Sequence, residues 1–98
     1  MSSPEYQRWH FLTNHSQVLL CIERNPDSRL RDIAETVGVT ERAAQRIVKD
    51  LVDAGYIRRE RIGRRNRYVV NPHVSMRHPA QSELEVGELL RLLRPRSA

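Results

Sequence analysis

The chain has 98 residues, 39% of them hydrophobic, and a formal net charge of +5. This length suits one domain with a small core. The apolar share argues against general disorder, and the basic excess favours an anionic partner, most commonly nucleic acid. No apolar run approaches a membrane span, and the opening "MSSPEYQRWH" lacks the charged-then-apolar design of a secretory signal. The expectation is a soluble, cytoplasmic protein with no membrane partner. Cys21 is the only cysteine, which rules out an internal disulfide and suits a reducing compartment.

Tyr6, Trp9, Phe11 and Leu12 concentrate aromatic and apolar character in residues 1–12, expected to be a short helix or an arm docked on the domain. Thr13 or Asn14 can cap a first helix with inner face His15, Val18, Leu19 and Ile22; it must stop near Arg24 because Pro26 disfavours helical geometry at Asn25. After the turn "NPDS", Leu30, Ile33, Ala34 and Val37 repeat with helical period, and Gly38 ends that second helix. Thr40 caps a third helix whose buried stripe is Ala44, Ile47, Val48 and Leu51. Its other face carries Glu41, Arg42, Gln45, Arg46 and Lys49. A two-residue, glycine-containing link forces the second and third helices to cross steeply.

Gly55 closes the third helix, and from Tyr56 the spacing changes. "YIRRERI" and "RYVV" flank the turn "GRRN", a β-hairpin with an arginine-rich tip spanning Gly63 to Asn66. Residues 72–81 read as an irregular connector. Ser82 and Glu85 have capping-box spacing for a last helix within 82–98, with an apolar stripe of Val86, Leu89, Leu90 and Leu93 and with Leu84 and Leu92 well off it. The fold class is therefore α+β and mostly helical: a three-helix core, a β-hairpin and a C-terminal helix.

The segments "LRDIAETVGVTERAAQRIVKDLVDAGYI" and "RRERIGRRNRYVV" resemble the winged helix-turn-helix transcriptional regulators of bacteria and archaea grouped as MarR-like and ArsR-like. The likeness covers residues 13–71. It implies a DNA-binding domain whose third helix enters the major groove of double-stranded DNA while the hairpin serves as wing. On that footing Arg42 and Arg46 suit guanine, and Gln45 suits adenine. Thr40 and the first-turn amides suit a phosphate oxygen, and Lys49 suits the phosphate backbone. Glu41 favours the helix dipole or accepts from cytosine. Arg64 or Arg65 suits a narrow minor groove. Arg59, Arg61, Asn66 and Arg67 complete the expected wing contacts, although Arg58, Arg59 and Arg61 alternate in direction and cannot all face DNA. Glu60 is placed to pair with one of them.

Other chemistries find less support. His10, His15, His73 and His78 have no metal-ligand spacing, Cys21 sits among apolar neighbours, and no nucleophile–base constellation or phosphate loop occurs, so neither an enzyme nor a cofactor is expected. His15 reads as a hydrogen-bonded, partly buried residue. Trp9, Phe11, Leu84, Val86, Leu89, Leu90, Leu92 and Leu93 exceed what so short a chain can cover and point to a homodimer. The alternative is a winged helix used as a protein-interaction module. No ligand domain for a small effector is visible.

Overall fold

The computed structural model describes residues 9–94. Helix α1 spans Asn14–Arg24, where the Thr13 hydroxyl accepts the Ser16 amide at 3.2 Å and satisfies one amide of the opening turn. It ends at Asn25, just before Pro26. Helix α2, Leu30–Val37, ends at Gly38, whose left-handed φ of 88° lets its amide reach the Ala34 carbonyl at 2.8 Å. Helix α3, Glu41–Asp53, begins where the Thr40 hydroxyl accepts the Ala43 amide at 3.0 Å. The three helices pack against one another around Val18, Ile22, Ile33, Ala44, Ile47, Val48 and Leu51, all buried. Each apolar stripe legible in the sequence faces this core, and Cys21 packs half-buried at its margin.

Strands β1, Ile57–Ile62, and β2, Arg65–Val70, pair antiparallel from Ile57 opposite Val70 to Ile62 opposite Arg65. Alternation puts Ile57, Arg59, Arg61, Asn66, Tyr68 and Val70 on one face and Arg58, Glu60, Ile62, Arg65, Arg67 and Val69 on the other. Ile57 and Tyr68 are buried and root the first face on the core. The turn is tighter than "GRRN" suggests. Gly63 and Arg64 alone form it, Gly63 with φ 62°, while Arg65 and Asn66 already belong to β2.

Beyond the hairpin the connector is more ordered than its composition indicates. Ser75 bridges Glu85, and Pro79–Gln81 form a 3-10 turn. The expected Ser82–Glu85 capping box is not formed. Ser82 donates instead to the Pro79 carbonyl at 3.1 Å, and helix α4 spans Val86–Leu92 with Glu85 as its N-cap. The physical reason lies in the connector's backbone. The Val74 and Pro72 carbonyls accept the Val86 and Gly87 amides, each at 2.8 Å, so chain rather than a serine side chain satisfies the first amides of α4. The Glu88 carboxylate accepts the Glu85 amide at 3.0 Å.

Three further expectations are corrected. His15 is hydrogen-bonded, to Asp50 at 2.8 Å, but its side chain is half exposed because the first turn of α1 projects past the core. Trp9 and Phe11 do not dock on the domain. They meet edge to face, ring centroids 5.2 Å apart, and stay exposed while Leu12 packs on the core. Val86 and Leu90 are buried within the subunit's own core rather than left over for a partner. Tyr6 lies outside the described residues.

Candidate nucleic-acid interface

Helix α3 turns its stripe of Ala44, Ile47, Val48 and Leu51 inward, and the 3.6-residue period then holds Arg42, Gln45, Arg46 and Lys49 outward. All four are exposed, as are Thr40 and Glu41 at the start of the helix. Arg42, Gln45 and Arg46 make no side-chain hydrogen bond or ion pair with another described residue. Lys49 differs: its ammonium donates to Asp53 at 2.7 Å, one turn on, and this bond with the carboxylate charge raises its pKa above the ordinary lysine value. The outer face is therefore divided, with unpaired guanidiniums and an amide in its first half and neutralised charge in its second. The Thr40 oxygen is occupied as an acceptor, which leaves its hydroxyl proton for a further partner.

The hairpin residues have distinct surroundings. Arg59 lies over the ring of buried Tyr68, 5.9 Å from its centroid, which lays the guanidinium along the wing's inner face. Arg58 pairs with Glu60 at 2.8 Å, and Arg61 donates to the Gly63 carbonyl at 3.1 Å, bracing the turn. Arg65 donates to the Asp27 carbonyl at 2.9 Å, and Arg67 lies 3.6 Å from the Asp27 carboxylate. Asn66 is exposed on the inner face. Arg64, at the tip, has no side-chain partner among the described residues.

Helix and wing meet across a cleft of about 500 Å³ whose walls include Gln45, Arg29, Arg59, Arg64 and Asn66. Residues as far apart in the chain as Arg29 and Asn66 thus form one surface. Arg29 and Asp27 are additions that the sequence did not single out, because "NPDS" reads only as a chain reversal until the hairpin is packed beside it. Among the described residues no group of His, Cys, Asp and Glu is arranged to hold a metal ion, and no helix is long and apolar enough to cross a membrane.

A three-helix core with a tight α2–α3 turn, an outward polar face on α3 and a basic hairpin beside it defines the winged helix-turn-helix class. The MarR family profile matches residues 11–67, more than half of the chain and all of α1, α2, α3 and β1. The protein belongs to the MarR family and is a DNA-binding transcription regulator. No match is found among curated proteins.

Proposed function

We propose that the protein reads a specific double-stranded DNA sequence as a homodimer. Helix α3 enters the major groove, with Arg42, Gln45 and Arg46 toward base edges and Thr40 and Lys49 toward phosphate. Glu41 supports the helix dipole or meets cytosine. The wing follows the adjacent backbone through Arg59, Arg61 and Asn66, and Arg64 enters the minor groove. One observation carries this reading: three side chains suited to base edges stand exposed and unpartnered, among the described residues, on the outer face of α3, and the middle one, Gln45, lines the cleft shared with the basic wing. The second half of α3 differs, since Lys49 is paired there with Asp53 one turn on.

Exposed Trp9, Phe11, Leu84 and Leu92 support the homodimer. Leu89 and Leu93 add to it where they line an open apolar groove between α1, α3, the connector and α4. Two-fold symmetry then spaces the paired α3 helices by about 34–36 Å on a near-palindromic site. A regulator of this kind, with one unpaired thiol, works in the cytoplasm beside its DNA.

Selection from a random duplex pool tests the reading. The expected result is an enriched near-palindrome whose affinity falls with salt at a log–log slope of about −0.9 per phosphate contact. Equal affinity for every duplex would indicate nonspecific coating. No duplex binding at all would favour a protein-interaction module using the same basic surface.

A further inference from the structure

The turn between α1 and α2 does more than reverse the chain. The Asn25 side-chain oxygen accepts the Asp27 amide at 3.2 Å, the Asn25 carbonyl accepts the Ser28 amide at 3.0 Å, and Ser28 is buried. Asp27 is thereby held in place from its own side. Toward the wing, the Pro26 carbonyl accepts the Tyr68 amide at 3.1 Å, covering the outer edge of β2. The Asp27 carbonyl accepts from Arg65 at 2.9 Å, and the Asp27 carboxylate faces Arg67 at 3.6 Å. Two of the tip-proximal arginines of β2 therefore converge on one residue of the helical core, and Arg64, next to them, does not.

We propose that Asp27 is the positioning residue of the wing: it withdraws Arg65 and Arg67 from phosphate contact and fixes the approach by which Arg64 alone meets the minor groove. This rests on the DNA-reading assignment above. A cation senses groove width only if its angle of approach is constrained, whereas an arginine on a swinging hairpin meets any phosphate within reach. The side chains of Asp27 and Arg67 are about half exposed, and an ion pair so placed contributes little to stability. Its consequence belongs to recognition, and substitutions there leave the fold intact.

The test uses the full chain with Asp27→Asn and Arg67→Ala, each titrated across salt against the selected duplex and a scrambled one, with thermal unfolding as the check on folding. Asp27→Asn releases Arg67 to the backbone, so the salt slope steepens by about 0.9. Preference for the selected duplex falls by roughly fivefold, the lower end of what one base contact discriminates. Arg67→Ala lowers the preference to a similar extent and leaves the slope unchanged, because that guanidinium was already withdrawn. Preference unaltered by Asp27→Asn overturns the proposal, as does a slope flattened by about 0.9 in Arg67→Ala. If the unsubstituted chain prefers neither duplex, the DNA-reading assignment falls as well. That outcome is distinct from failure of the anchor alone, in which a preference exists and survives Asp27→Asn.

Discussion

Arg42 and Arg46 stand one helical turn apart with Gln45 between them, and no described side chain competes for their donors. Their role and that of Arg64 separate in a binding experiment. Arg46→Ala is expected to remove about 1–3 kcal/mol of discrimination at one base position and to leave affinity for unrelated duplexes little changed. Arg64→Ala is expected to flatten the salt slope by about 0.9 and to lower the preference for the selected duplex by roughly fivefold, a loss that follows groove width rather than any single base edge. Competition with single-base variants of the selected site distinguishes the two, and equal losses on every duplex for both substitutions would reverse the assignment of roles. The α3 residues were legible in the sequence because helical period fixes which face is inward once the apolar stripe is known. The partners of Arg65 and Arg67 were not, since Asp27 lies nearly forty positions away and no local pattern encodes that meeting.

Local chemistry sets the elements, and two of them offer direct checks. The Thr40 cap satisfies an amide at the start of α3, so Thr40→Ala is expected to cost about 1 kcal/mol in urea unfolding. Helix α4 depends on something the sequence did not reveal. A Cβ on Gly87 would lie 2.7 Å from the Pro72 Cβ and 2.8 Å from the Pro72 carbonyl oxygen, and that same oxygen accepts the Gly87 amide. Neither backbone can retreat without breaking the bond. Gly87→Ala is therefore expected to destabilise the fold by about 1–3 kcal/mol, read as a lowered unfolding midpoint. Capping statistics favoured Ser82 as the start of this helix, but they score side chains only. Here backbone carbonyls of a connector folded against the helix share the capping with the Glu88 carboxylate.

On the scale of the whole molecule, α4 joins two roles. Val86 and Leu90 complete the core, Arg94 reaches back to Glu23 on α1 at 2.7 Å, and Leu84 and Leu92 remain outside. Substituting Leu84 and Leu92 together by alanine is expected to change subunit stability by no more than about 0.5 kcal/mol per site while weakening dimerisation. Sedimentation across a concentration series measures this, and an unsubstituted chain that stays monomeric well above micromolar concentration would remove the dimer from the proposal. The Trp9–Phe11 pair belongs to the same test. Both rings remain mostly exposed even while touching each other, and a partner would cover that apolar surface.

The sequence by itself determined the three helices, their inward stripes, the tight α2–α3 turn and the basic hairpin. Each is written in short-range period and in residue types with strong local preferences. Tertiary structure alone decided which arginines of the wing are spoken for, where α4 begins, and which of its leucines are left to water. Those outcomes depend on carbonyls and carboxylates brought alongside from distant parts of the chain. Long-range contacts of this kind leave no periodic trace in the segments they join.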